Sequence, residues 1–138
     1  KIVNHTLFTT LAAKVKSAET VEEDLEGLTS FFFTNQTGIQ SPLDVTPLAS
    51  LVSLTQLVLK TNRINIDLKP LVGLVNLKKL DLSENTITDL SGLECMAKLE
   101  ELNLHQNQIV DANPLAGLAN LADLQLSNNP KLKDVKAL

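Results

Sequence analysis

Leu57, Leu80, Leu102 and Leu124 stand 23, 22 and 22 residues apart, and the residues around them repeat in step. Two residues further on come Leu59, Leu82, Leu104 and Leu126, and five residues after the first leucine come Asn62, Asn85, Asn107 and Asn129. Ile64, Ile87 and Ile109 follow, with Leu132 one residue late after Pro130. An acidic column, Asp67, Asp89, Asp111 and Asp134, precedes Leu71, Leu93, Leu115 and Leu138, while Leu77, Leu99 and Leu121 recur in the same phase. Such a period restricts the chain to a solenoid. Each unit is too short to bury its own apolar side chains and must stack on its neighbours.

Every column has a physical role in such a stack. The Leu-x-Leu pairs alternate with other residues at period two, which describes a short strand with one buried face, and stacked strands make a parallel sheet. The asparagine falls where the chain leaves the strand, and its amide can satisfy backbone groups that no ladder reaches, forming a polar spine inside the core. Pro47, Pro70 and Pro114, each just before a repeat leucine, suit a tight or 3₁₀ return on the outer side. The acidic column lies about three residues earlier, where carboxylates can cap the free N–H groups of that turn.

The four phenylalanines, Phe8, Phe31, Phe32 and Phe33, all lie in the first quarter of a chain that has neither Trp nor Tyr, so the repeat core is built from Leu, Ile and Val. From about Thr6 to Ala18, Leu7, Leu11, Val15 and Ala18 form one helical stripe with Phe8 and Ala12 beside it. Thr20 and Glu23 form a capping box that is expected to open a second helix through Leu25, Leu28 and the phenylalanine run. Residues 1–37 are thus expected to be a helical cap closing one end of the stack. Residues 38–138 are expected to hold a degenerate unit entered at Gly38-Ile39, about three full units and an incomplete last one. Cap and repeats are read as one cooperative unit.

A net charge of −4 and the lack of a basic stripe exclude a general affinity for nucleic acid or anionic membrane. No apolar run approaches the ~20 residues that span a bilayer. Cys95 is the single cysteine and cannot form an internal disulfide. His5, His105 and Cys95 fall in different parts of the repeat scheme, and no phosphate loop, nucleophile elbow or metal-ligand spacing occurs. The chain is therefore read as non-enzymatic, with no cofactor and no metal, the Asp67 to Asp134 column being read as caps in preference to Ca²⁺ ligands. The sequons at Asn4 and Asn35 are read as chance matches.

The run Leu-Glu-Glu-Leu-Asn-Leu-His-Gln-Asn from Leu99 to Asn107 matches the leucine-rich-repeat pattern Leu-x-x-Leu-x-Leu-x-x-Asn. With Asp24-Leu25, Leu28-Thr29-Ser30, the Gly38-Ile39 entry and the Asn85-Thr86-Ile87-Thr88-Asp89-Leu90 segment, the chain resembles the internalin-type leucine-rich-repeat regions of bacterial surface proteins. It departs from that pattern at Pro42, at the inserted Asn65-Ile66 and in lacking aromatic residues on its strands. The fold expected is α/β: a right-handed leucine-rich-repeat solenoid with a parallel sheet on the concave face, a 3₁₀ or irregular outer face and a two-helix N-terminal cap. The resemblance implies a module that binds another protein through its sheet face, on a cell-surface or secreted protein. The alternative is an intracellular regulatory scaffold or adaptor of the same repeat class, which leaves the cytoplasm open as its location.

Register alone writes down the outward side of the sheet. One column is Gln56, Lys79, Glu101 and Asp123, the next is Val58, Asp81, Asn103 and Gln125, and the third is Lys60, Ser83, His105 and Ser127. These twelve residues are the expected partner-binding set. Four strands ~4.8 Å apart with ~17 Å of length offer only about 300 Å², against the ~800 Å² that each partner gives to a standard interface. The C-terminal end, where the last leucines lack a polar closing segment, is expected to be covered by further repeats or by another subunit.

Overall fold

The computed structural model describes residues 29–32, 45–60 and 67–133. Nearly all of the expected helical cap, the Asn62 and Ile64 positions and Asp134 lie outside the described residues.

Among the described residues, five strands form one parallel sheet in chain order: β1 (Ser30–Phe32), β2 (Gln56–Val58), β3 (Lys79–Asp81), β4 (Glu101–Asn103) and β5 (Asp123–Gln125). Their register follows the sequence period without a slip, Leu57 pairing with Leu80, Leu80 with Leu102 and Leu102 with Leu124. The first strand is a correction. Ser30–Phe32 belongs to the sheet, with Phe31 in register with Leu57, and not to the second helix expected through the phenylalanine run. Leu28-x-x-Phe31-x-Phe33 spells the same motif as Leu54-x-x-Leu57-x-Leu59, with aromatic residues replacing two leucines. Aromatic residues favour a pleated surface over a helix, and the backbone of β2 offers this run a pairing partner.

Opposite the strands the described residues form four 3₁₀ segments: η1 (Thr46–Ser50), η2 (Lys69–Gly73), η3 (Leu93–Cys95) and η4 (Asn113–Leu115). The buried positions explain them. Val45, Leu48, Leu51, Leu54 and Leu57 recur every third residue, as do Leu68, Leu71, Leu74, Leu77 and Leu80, then Leu90, Leu93, Met96, Leu99 and Leu102. A 3₁₀ helix has three residues per turn and eclipses side chains at i and i+3, so this spacing turns one ridge continuously into the core. The backbone follows with bonds from Leu71 N–H to Leu68 O (3.0 Å), Leu74 N–H to Leu71 O (3.0 Å) and Leu77 N–H to Leu74 O (3.2 Å), and the other units repeat them. Proline stands in the first turn of η1, η2 and η4, where its missing N–H costs no bond. In η3 that place is taken by Gly92 at φ 109°, whose N–H donates to Glu94 Oε2 at 2.8 Å.

The described members of the acidic column cap η2, η3 and η4. Asp67 Oδ1 accepts the N–H of Lys69 (3.0 Å) and Asp111 Oδ1 that of Asn113 (2.8 Å). Asp89 Oδ1 accepts both the N–H (2.9 Å) and the hydroxyl (2.6 Å) of Ser91. The Ser91 hydroxyl, then its N–H, and to a lesser degree the charge of Lys69 hold the Asp89 carboxyl below its ordinary pKa against a small opposing effect of burial.

Between sheet and turns runs the asparagine spine. Nδ2 of Asn85 donates to Leu59 O and Leu82 O, that of Asn107 to Leu82 O and Leu104 O, and that of Asn129 to Leu104 O and Leu126 O, all within 2.9 to 3.2 Å. The carbonyls of Leu82 and Leu104 therefore each accept two amides, one from the asparagine of their own unit and one from that of the next. Oδ1 of Asn107 and of Asn129 accepts the N–H of Ile87 (3.0 Å) and Ile109 (3.2 Å) respectively. The spine thus ties each unit to the next through groups that would otherwise be buried without partners. Leu121, Leu124, Leu126 and Leu132 pack against the core and are only partly buried.

Candidate protein-binding face

Because β2 to β5 are in zero-slip register, equal positions of successive units line up across the sheet. Eight of the twelve expected residues, Gln56, Val58, Lys79, Asp81, Glu101, Asn103, Asp123 and Gln125, surround one open depression of about 220 Å³ with Leu57, Leu80 and Leu102 at its floor. The remaining four, Lys60, Ser83, His105 and Ser127, lie past the ends of the strands and do not line it. Of the eight, Lys79, Glu101, Asp123 and Gln125 are exposed and the others half-buried.

Ser83 departs from the outward expectation. It is only 4% exposed, and both its N–H (3.0 Å) and its hydroxyl (2.6 Å) donate to Asp81 Oδ1. The chain bends back directly after β3, and a small hydroxyl close to the preceding carboxylate folds inward to meet it. Asn103 Oδ1 takes the N–H of His105 in the same way at 3.0 Å, while His105 Nδ1 lies 2.7 Å from Ser127 Oγ. Lys79 Nζ stands 3.2 Å from Glu101 Oε1, and beside it Lys78 Nζ stands 3.6 Å from Glu100 Oε1. These exposed pairs add at most about 0.2–1 kcal/mol each to strand pairing.

Two supports of the face escaped the sequence columns. Glu84, Gln106 and Asn128, which border it, adopt the left-handed conformation at φ 58°, 57° and 58°. Their N–H groups are thereby turned along the stack, Glu84 N–H reaching His105 O and Gln106 N–H reaching Ser127 O, both at 2.9 Å. Only Asn128 carries a residue type that favours this conformation, so the signal was present in one unit of three. The second support is an outer ladder. Asn76 Nδ2 donates to Val52 O (3.0 Å), Asn120 Nδ2 donates to Ala97 O (2.8 Å), and between them Lys98 Nζ donates to Asn76 Oδ1 (2.9 Å). Its recurrence at Asn76 and Asn120 was legible, although Lys98 in the intervening unit hides it.

Cys95 is an exposed free thiol on η3, on the turn side of the molecule and away from His105. Among the described residues no group of acidic, His and Cys side chains is arranged to hold a metal ion. No helix there is long and apolar enough to cross a membrane.

The family model described as Leucine Rich repeats (2 copies) matches residues 52–95, 75–117 and 97–138. No curated protein sequence matches the chain. Among solved structures, an internalin (InlF) from Listeria monocytogenes superposes with a TM-score of 0.72 at 30% identity, over 96% of this chain and 45% of that one. Internalin C2 from the same organism superposes at 0.56 with 25% identity, over 82% of this chain and 67% of that one. The leucine-rich-repeat ectodomain of the receptor kinase SOBIR1 from Arabidopsis thaliana gives 0.65 and 25%, covering 80% and 61%. This chain spans less than half the length of the InlF structure. The stacked parallel strands, the 3₁₀ returns and the asparagine spine agree with these matches: the chain belongs to the leucine-rich-repeat family, and it is of the internalin type.

Proposed function

We propose that this chain is a protein-binding module of an internalin-like surface or secreted protein, and that it engages its partner through the outward side of the sheet. The observation that carries this reading is the depression at the sheet centre, where side chains from four successive strands are presented on a rigid ladder. Partner contacts are assigned to Gln56, Val58, Lys79, Asp81, Glu101, Asn103, Asp123 and Gln125, with Lys60, His105 and Ser127 at the margin. Ser83 acts from beneath by holding the Asp81 carboxylate. With no aromatic or Arg anchor among these side chains, the contact is modest in affinity and rests on polar complementarity.

A photo-crosslinking side chain placed at Gln125 on the sheet, or at the exposed Val110 on the turn side, tests the assignment. Partner adducts obtained preferentially from the sheet position support it, and equal yields or none at Gln125 reject it. The exposed thiol of Cys95 favours the competing reading of an intracellular scaffold, since oxidising compartments seldom leave such a thiol unpaired. Fractionation of the source cells separates the two: a pool confined to the cytosol rules out the surface reading.

A further inference from the structure

We infer that the occupant of the sheet depression is an extended, Arg- or Lys-bearing segment of the partner, recognised chiefly by Asp81 and Asp123. This rests on the sheet-face reading above and names the chemistry of its partner. Around the depression stand three carboxylates, Asp81, Glu101 and Asp123, and one cation, Lys79. Lys79 lies 3.2 Å from Glu101, so that pair is internally neutralised. Two carboxylates remain. Asp81 Oδ1 is occupied by Ser83, whereas its Oδ2 accepts no hydrogen bond among the described residues, and neither does the carboxylate of Asp123.

Asp81 and Asp123 sit two strands apart and two residues out of register, about 12 Å, a span covered by roughly three to four residues of an extended chain. The amides of Asn103 and Gln125 lie between and beside them and can pair with the backbone of such a segment. The lack of aromatic side chains removes the usual apolar anchors, which leaves charge as the selective force. Lys79 is then a competitor for its own face, because it repels an incoming cation and screens Glu101.

The test is an NMR titration of the 138-residue chain with three twelve-residue peptides of alternating sequence, Arg-Ser, Gln-Ser and Glu-Ser. The Arg-Ser peptide should bind most tightly, shift amides of β3 to β5, and weaken as salt is raised. The double variant Asp81→Asn with Asp123→Asn should lose about three- to ten-fold in affinity, the size of two exposed ion pairs, and Lys79→Gln should gain. A matched control, Asp89→Asn with Asp111→Asn, removes the same charge from the outer turns while leaving a residue that caps equally well. It should leave affinity within two-fold, about 0.4 kcal/mol.

Equal losses in both double variants would reduce the effect to overall charge and overturn the inference. So would preference for the Gln-Ser or Glu-Ser peptide, or no binding by any of the three. Shifts on the sheet face from the wrong peptide would leave the face reading standing and sink only the cationic partner. Shifts confined to the outer turns would count against both.

Discussion

Replacing Asn107 with leucine probes the element that joins one unit to the next. The side chain is 1% exposed and makes four hydrogen bonds: from Nδ2 to Leu82 O (3.0 Å), Leu104 O (3.2 Å) and His105 O (3.4 Å), and to Oδ1 from Ile87 N–H (3.0 Å). If every partner were orphaned, ~1–3 kcal/mol for each would sum to about 4–12 kcal/mol. The structure argues for much less. Leu82 O keeps the amide of Asn85 (3.0 Å), Leu104 O keeps that of Asn129 (2.9 Å), and His105 O keeps the N–H of Glu84 (2.9 Å). Only the N–H of Ile87 is stranded in the core. One orphaned donor, with about 1 kcal/mol for three weakened but still partnered carbonyls, predicts a loss of about 2–4 kcal/mol for Asn107→Leu. Urea unfolding of variant and parent at equal m measures it, and amide exchange at Ile87 should accelerate beyond that of its neighbours. A loss under 1 kcal/mol, or one above 6, would refute the shared-carbonyl account. Asn107→Asp keeps an acceptor for Ile87 but turns a carboxylate oxygen toward carbonyls, so it should cost more than leucine at neutral pH.

Three further outcomes follow from particular backbone and charge features. A Cβ on Gly92 would stand 2.8 Å from Leu68 O at φ 109°, so Gly92→Ala should destabilise by about 1–3 kcal/mol, read as a lower urea midpoint. Gln106→Asn replaces a residue held at φ 57° by one that tolerates that region, and should stabilise by about 0.5 kcal/mol in the same assay. The Asp89 carboxyl is held below its ordinary pKa, so its contribution is present above the unfolded value of about 3.9 and is lost as pH falls through the lower folded value. The stability gap between parent and Asp89→Ala should therefore be constant from pH 7 to 5 and close below about pH 4. A gap that widened on acidification would contradict the cap.

The period of 22 to 23 residues determined the strand positions, their zero-slip register, the asparagine spine, the capping aspartates and the proline-started turns, because each is encoded once per unit and reinforced by its copies. The third-residue leucine spacing that drives the 3₁₀ returns was equally legible, from Leu68 through Leu80 for instance. The same period wrote down twelve positions as outward, of which Ser83 is instead buried, while the chemistry of a partner could not be read from it. Tertiary structure decided the features that depend on what the neighbouring unit presents. Ser30–Phe32 is a strand because the edge of β2 is there to pair with it, and not the continuation of a helix opened at Thr20. Gly92 stands where the other units carry proline, and its positive φ brings its backbone close to Leu68. Ser83 is buried because the chain bends after β3 and brings its hydroxyl to Asp81. Leu82 and Leu104 each share one carbonyl between two asparagines because stacking places consecutive units within hydrogen-bond reach. A repeat specifies its own turn and strand by local spacing, whereas pairing, burial and shared bonds exist only between units and are set by the stack.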